Sequence, residues 1–207
     1  MKTKIILAGL ALSTMMYACN SKPSVSSQND TTQIAKEPID STLLNASNTN
    51  AFAVKAAIGG MMEVETSAKM IKYTENPDIQ TLATMMVKDH GAANAALKAI
   101  AKKEKLQLPQ VLPAAKLEDI EKLEGLQEEE QNRAYANLMV KEHEEAVALF
   151  ASASQNEANV ALKAFAQQNL TTLKAHLEHA KSVQKMIESI KNDKGDQPLK
   201  TARERNP

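Results

Sequence analysis

Four long stretches of this chain repeat their apolar residues with the period of an α-helix, and this periodicity constrains the fold more than any other feature. Each stretch runs for several turns and carries one apolar face. Short segments that contain proline or glycine separate the stretches, and these residues interrupt helices. The pattern predicts long helices over 51–74, 78–105, 128–154 and 159–191, and a short connecting helix over 117–123 that ends at Gly125.

Four amphipathic helices must bury their apolar faces against one another. We therefore predict an all-α fold, an antiparallel four-helix bundle with a short extra helix between the second and third long helices. The composition agrees, because aromatic residues make up 3% of the chain, Trp is absent and there are ten Met. The formal net charge is zero, so the chain lacks the basic excess that a nucleic-acid partner requires.

The N-terminus has the layout of a lipoprotein signal. Lys2 and Lys4 precede an apolar run over 5–16, which is too short to span a bilayer, and the small Ala18 precedes Cys19. The four residues that end at Cys19 resemble a lipobox, which implies cleavage before Cys19 and acylation of its thiol. The alternative is an ordinary secretory signal followed by an incidental cysteine. The lipoprotein interpretation predicts attachment to a membrane of the cell envelope, the outer membrane, through the N-terminal lipid.

These patterns divide the chain into four parts. Residues 1–18 form the signal peptide, and residues 19–50 form the lipidated cysteine and a flexible tether rich in Ser, Thr, Asn and Gln. Residues 51–191 form the helical-bundle domain. Residues 192–207, which include Gly195 and Pro198, are predicted to be a disordered tail.

A group of polar residues interrupts the apolar faces of the long helices. His90, His143 and His176 fall on the apolar faces of three different helices, and Glu63 falls on that of the first helix. A carboxylate on a buried face is costly unless it is paired or binds a cation. The four residues therefore predict a mononuclear transition-metal site, for copper or zinc. The alternative is a buried hydrogen-bond network that satisfies itself without a metal.

Other residues near these positions are weaker candidates. Met86 and Met139 each lie one turn before a histidine on the same face, where Met is more often a core residue than a ligand. Asp89 and Glu142 point about 100° away from the adjacent histidines, so they are expected to orient a histidine of a neighbouring helix, if any. The secondary metal candidates are Glu65, Met86, Met139 and His179.

Most of the predicted bundle resembles domain-of-unknown-function family 4142, a group of predicted outer-membrane proteins regarded as ferritin-like. The matching segments are Phe52-Ala53-Val54, Glu63-Val64-Glu65, Met86-Val87-Lys88-Asp89-His90, Tyr135, Glu142-His143-Glu144 and His176. The resemblance implies a ferritin-like four-helix fold in the bacterial envelope and implies no established reaction.

The chain departs from the family and from ferritin at two places. Gln131-Asn132 stand where members of the family often have Phe-Asp. A ferritin di-iron site needs Glu-x-x-His on two helices, whereas the residues three positions before the three histidines are Val87, Val140 and Leu173. We therefore expect no di-iron oxidation chemistry.

Two functions agree with the sequence. The first is an envelope-anchored helical lipoprotein that binds one transition-metal ion in the core of its bundle. The alternative is a non-enzymatic structural or interaction module that contacts a protein partner in the envelope and holds no metal. The chain has no nucleophile motif and no glycine-rich phosphate loop, and lipidation would consume its single cysteine, Cys19. We therefore predict that the protein is not an enzyme.

Overall fold

A computed structural model describes residues 51–196, and this part of the chain is helical without strands. The helices are α1 (Ala51–Tyr73), α2 (Pro77–Glu104), α3 (Ala114–Glu124), α4 (Glu128–Asn156) and α5 (Val160–Asp196). The predicted all-α bundle with a short extra helix is thus confirmed. Helix α5 includes residues 192–196, which the sequence assigned to the tail. The predicted signal peptide, Cys19 and the tether lie outside the described residues. No helix between residues 51 and 196 is long and apolar enough to cross a membrane.

Side-chain caps determine where two of the long helices begin. The Oδ1 atom of Asn76 accepts hydrogen bonds from the backbone N–H groups of Asp78 and Ile79, at 3.0 and 3.1 Å, and Pro77 occupies the first turn of α2. Asn159 caps α5 in the same way. These bonds satisfy N–H groups that have no partner within the helix.

The four long helices form a bundle in which each packs on two neighbours. Helix α1 packs on α2 and α4, and α5 packs on the same two helices. At one end, the backbone N–H of Glu75 donates to Glu128 Oε1 at 2.7 Å, so α4 begins where α1 ends. At the other end, Asn159 Nδ2 donates to Glu104 Oε2 at 3.0 Å, so α5 begins where α2 ends. Neighbouring helices are therefore antiparallel, whereas α2 and α4 run in the same direction.

This topology requires a crossover along the bundle between α2 and α4, and α3 lies within it. Lys116 of α3 pairs with Glu142 near the middle of α4, with Nζ–Oε1 of 2.7 Å, and Glu124 at the end of α3 pairs with Lys69 of α1. Ile120 of α3 is buried against the face of α1. A single long crossover of this kind is the arrangement of ferritin-like bundles.

The core consists of two main clusters at opposite ends of the bundle. The methionine cluster contains Met70, Ile79, Leu82, Ala83, Met86, Leu123, Tyr135, Ala136, Met139, Ala180, Val183 and Ile187. The phenylalanine cluster contains Phe52, Ala53, Ala57, Leu97, Phe150, Ala153, Leu162, Phe165, Ala166 and Leu173. Each long helix places one of four buried residues, a glutamate or a histidine, between its parts that belong to the two clusters. We refer to these four residues, Glu63, His90, His143 and His176, as the polar layer.

Candidate metal centre

The polar layer lies at the middle of the bundle, and each long helix contributes one residue to it. All four side chains are buried, and His143 is completely inaccessible to solvent. The centroids of the three imidazole rings lie between 5.2 and 5.5 Å apart. The helical period explains this convergence, because each residue occupies the apolar face that its helix turns to the bundle axis.

Glu63 and the backbone of α4 orient two of the rings. Nδ1 of His90 lies 2.8 Å from Glu63 Oε2, and Nδ1 of His143 lies 2.9 Å from the carbonyl oxygen of Met139. The other carboxylate oxygen of Glu63 lies 3.4 Å from His143 Nδ1. A carbonyl or carboxylate oxygen accepts hydrogen bonds, so both Nδ1 atoms carry the proton. The Nε2 atoms of His90 and His143 are therefore left to bind something else.

Asp89 orients the third ring, that of His176, so that Nε2 and not Nδ1 is the donor. Its Oδ2 atom lies 3.0 Å from His176 Nε2, which therefore donates a hydrogen bond across the α2–α5 interface. The other ring nitrogen, His176 Nδ1, is buried and has no hydrogen-bond partner within the described part of the chain. A buried acceptor without a partner is destabilising, and it marks a position where an unaccounted donor or cation fits.

The ring nitrogens of the three histidines come close enough to share one ion. One nitrogen from each of His90, His143 and His176 lies within 4.8 Å of the others. The Nε2 atoms of His90 and His143 are 3.2 Å apart, a separation that places two lone pairs together unless a proton or a metal ion lies between them. Two imidazoles bound tetrahedrally to one zinc ion, with Zn–N bonds of about 2.0–2.1 Å, have their nitrogens about 3.3 Å apart. The observed separation agrees with this geometry.

Burial and charge set the protonation of the site. Burial would raise the pKa of Glu63, but the charges of the histidines and the hydrogen bond from His90 hold it below its ordinary value. Burial would lower the pKa of His90, but the charge and hydrogen bond of Glu63 raise it. Burial lowers the pKa of His143 and His176, and the charge of His90 lowers both further. His90 therefore holds a proton most strongly, and a metal ion at the site would compete with that proton.

The arrangement fits a transition-metal ion. Histidines that bind metals almost always donate their second ring nitrogen to a carboxylate or a backbone carbonyl, which fixes the tautomer and the direction of the ring. Here Glu63, the Met139 carbonyl and Asp89 provide these acceptors. A set of three neutral imidazoles suits zinc or copper and leaves one position of a tetrahedron open.

The structure separates the predicted site residues into groups. The three histidines form the candidate ligand group, whereas Glu63 lies on the Nδ1 side of two rings and outside that group. Met86 and Met139 are fully buried within the methionine cluster, and Met139 enters the site through its carbonyl oxygen. Glu65 is exposed, and His179 is partly exposed on α5.

Two interactions near the site were beyond the sequence pattern. The sequence identified Asp89 and Glu142 as groups that orient a histidine of another helix, and Asp89 does so. Glu142 instead accepts two hydrogen bonds from Lys116, at 2.7 and 2.8 Å. The role of the Met139 carbonyl was missed, although a histidine four residues later on a helix is a signal for such a bond.

Comparisons with known proteins agree with this fold. Residues 35–183 match the family described as domain of unknown function (DUF4142). A DUF305 fragment from Deinococcus radiodurans has a similar structure, with a TM-score of 0.59 and 14% identity, over 67% of this chain and 95% of that one. A DUF305 protein from Streptomyces coelicolor has a TM-score of 0.51 and 16% identity, over 73% and 95%.

These structural similarities concern the fold alone. No curated protein sequence matches the chain. The match to the family model, in contrast, extends over most of the sequence and includes all four residues of the polar layer. The chain therefore belongs to the DUF4142 family.

Proposed function

We propose that the helical domain binds a single transition-metal ion, zinc or copper, through His90, His143 and His176. The observation that carries the proposal is the way in which the ring nitrogens are hydrogen-bonded. One nitrogen of each ring donates to Glu63, the Met139 carbonyl or Asp89, and each ring brings one nitrogen within 4.8 Å of the other two. A hydrogen-bond network that satisfied itself would leave no nitrogen without a partner, whereas His176 Nδ1 has none among the described residues.

Charge also supports this proposal. A divalent ion bound by three neutral imidazoles keeps its charge of two, and the carboxylates of Glu63 and Asp89 lie next to the rings that would bind it. The buried site is therefore close to neutral when a divalent ion is present. Since an isolated charge in the protein interior is strongly unfavourable, this balance lowers the energetic cost of holding the ion. The role is binding of the ion, without catalysis.

The test is metal content of the full-length protein, purified in a mild detergent and dialysed against zinc or copper. We expect one ion per chain by elemental analysis. The His90→Gln/His143→Gln/His176→Gln variant should hold none while it stays helical by circular dichroism. The matched control is His179→Gln, which removes the remaining histidine and should keep the full metal content. Absence of stoichiometric metal in the parent, or full retention in the triple variant, would contradict the proposal.

Glu63→Gln distinguishes a ligand from an orienting group. The amide oxygen of Gln can still accept from His90 Nδ1, so loss of the carboxylate should weaken metal affinity by about 10–100-fold without abolishing it. The absorption spectrum of the cobalt-substituted protein should keep its band positions. A changed spectrum together with loss of bound metal would instead identify Glu63 as a direct ligand.

We also propose that the chain is exported and attached to the envelope through Cys19. The support is the sequence alone, since the positive start, the short apolar run and the small residue before Cys19 have the order of a lipoprotein signal. Cell fractionation should place the parent in the membrane fraction. Mass spectrometry of the parent should show acylation at Cys19, which Cys19→Ser removes, and a parent without acyl groups would contradict lipid attachment.

A further inference from the structure

A cavity of about 410 Å³ lies against one side of the polar layer. Glu63, Asp89, His90 and His176 belong to the polar part of its wall, which also carries Lys55, Lys116 and Glu145. The apolar part includes Leu97, Phe150, Phe165 and Leu173 of the phenylalanine cluster and Leu149, which packs against that cluster. No residue of the methionine cluster lines the cavity. Its volume and its mainly apolar wall, with a few polar groups at one place, are those of a site for a small molecule.

The polar layer faces this cavity asymmetrically. His90 and His176 belong to the wall, whereas His143 is completely buried and does not. An ion held by the three histidines would therefore have His143 behind it and the cavity in front of it. Three protein ligands leave the fourth position of a tetrahedral ion open, and a molecule in the cavity can reach it.

We propose that the cavity binds a small apolar molecule that presents one neutral nitrogen or sulfur atom to the metal ion. This inference rests on the proposed metal site. The donor is neutral because Glu63 and Asp89 already balance a divalent ion. Of the two lysines on the wall, Lys116 is held by Glu142 at 2.7 Å, and Lys55 is exposed, so water and salt screen its charge. Zinc and copper accept nitrogen and sulfur donors.

The size of the cavity predicts how affinity depends on the apolar part of the ligand. About 410 Å³ corresponds to the liquid volume of about fourteen water molecules, so an alkyl chain of several carbons fits. Each buried methylene should increase the affinity by about fourfold until the cavity is filled. A series of 1-alkylimidazoles with methyl, butyl and hexyl groups tests this, because the donor nitrogen stays the same while the chain grows.

The experiment uses the full-length protein loaded with cobalt or zinc, after its metal content has been measured. Isothermal titration calorimetry should give the fourfold increase for each methylene. The visible spectrum of the cobalt form should change in proportion to bound ligand, which reports on the metal itself. The metal-free protein should bind the series much more weakly.

Two glycine variants provide matched tests of location. Gly59 of α1 lines the cavity, Gly91 of α2 does not, and a Cβ atom at either position would meet no atom within 4 Å. Leu is a better helix former than Gly, so both Gly59→Leu and Gly91→Leu should fold. Gly59→Leu should keep one metal ion and lose the dependence on chain length. Gly91→Leu should behave like the parent.

The outcomes separate this inference from the metal site. A loaded protein that binds the three imidazoles equally would overturn the cavity proposal and leave the metal proposal intact. Equal affinity of the metal-free and the loaded protein for the series would overturn the role of the ion as anchor. Unchanged binding by Gly59→Leu would overturn the location. A parent that holds no metal would overturn both proposals, and the initial metal analysis identifies that case.

Discussion

The two halves of the bundle differ in how completely their side chains fill the space between the helices. The methionine cluster closes one half, and its residues line none of the large cavity. The phenylalanine cluster occupies the other half and leaves about 410 Å³ beside the polar layer. The same four helices therefore form a buried core on one side of the histidines and a core with a cavity on the other. The difference indicates that one half is built for stability and the other can accommodate a ligand.

Side-chain shape explains part of this difference. Met is unbranched and flexible, so Met70, Met86 and Met139 can adapt to irregular gaps between helices. Phe52, Phe150 and Phe165 are rigid rings, with centroids 5.0, 5.7 and 6.4 Å apart. Phe52 and Phe150 pack edge to face and Phe165 is tilted against both, so the rings hold one another in place and cannot spread to fill a neighbouring space. The cavity therefore stays open next to the rings.

The largest expected effect compares two leucines of α2. Leu82 belongs to the methionine cluster and Leu97 lies on the cavity wall, and both are almost completely buried. Leu82→Ala should lower the free energy of unfolding by about 2–5 kcal/mol. Leu97→Ala should cost about 1–2 kcal/mol less, because the residues beside the cavity can relax more freely around the deleted atoms.

Chemical denaturation of the two metal-free variants measures this difference, with the slope of the transition checked for each. Circular dichroism provides the control for helix content. Equal losses, or a larger loss at Leu97, would mean that the two halves are packed equally well and that the cavity contributes no difference in packing.

The next effect comes from enlarging the side chain at two alanines of α4. Ala136 is fully buried in the methionine cluster, whereas Ala146 lies on the cavity wall. Ala136→Leu should destabilise by about 1–3 kcal/mol, because the extra carbons have no space. Ala146→Leu should change stability by less than about 0.5 kcal/mol, because its side chain enters the cavity. Thermal unfolding of both variants gives the comparison, and a destabilised Ala146→Leu would show that the cavity cannot accept a side chain.

The sequence predicted the helices and the residues of the polar layer because both follow from the helical period. Each stripe identifies the face that a helix buries, so His90, His143 and His176 could be assigned to the interior without a structure. The period gives the face of a residue but not its rotamer. It therefore could not show that Glu63 contacts Nδ1 of two rings, or that His176 presents Nδ1 where the other two present Nε2.

The cavity and the pairing of Glu142 could not be predicted from the sequence. A cavity depends on the summed volumes of side chains from several helices, and no single stripe contains that information. Lys116 reaches Glu142 because α3 follows the crossover along the bundle, and the position of that crossover depends on tertiary packing. Asp89 was placed correctly as a group that orients a histidine, since its direction from the α2 axis follows from the helical geometry.

The smallest expected effect is the pH dependence of the protein's stability. It arises from the polar layer, which lies between the two halves. The pKa of His143 and His176 is lower in the folded protein than the ordinary value of 6.5, so the unfolded chain binds more protons at these two positions. Their contribution to stability is complete above pH 6.5 and is lost as the pH falls through the folded pKa values. His90 acts in the opposite direction, because its raised pKa stabilises the folded state at low pH and this contribution is lost as the pH rises. The metal-free protein should therefore lose stability below about pH 6.5, by at most about 1.4 kcal/mol per pH unit for each of His143 and His176, whereas the opposite effect of His90 falls above about pH 6.5.

Substitution of His176 isolates the contribution of one histidine whose pKa is lowered. His176 is chosen because it lies on the cavity wall, whereas His143 is enclosed. The melting temperature of His176→Gln should fall less between pH 7 and pH 5 than that of the parent, since the variant has one fewer group to protonate on unfolding. His179→Gln, with a partly exposed histidine on the same helix, should keep the parental slope. If His176→Gln also keeps that slope, His176 takes up no additional proton on unfolding, and the hydrogen bond and charge of Asp89 then balance the effect of burial on its pKa.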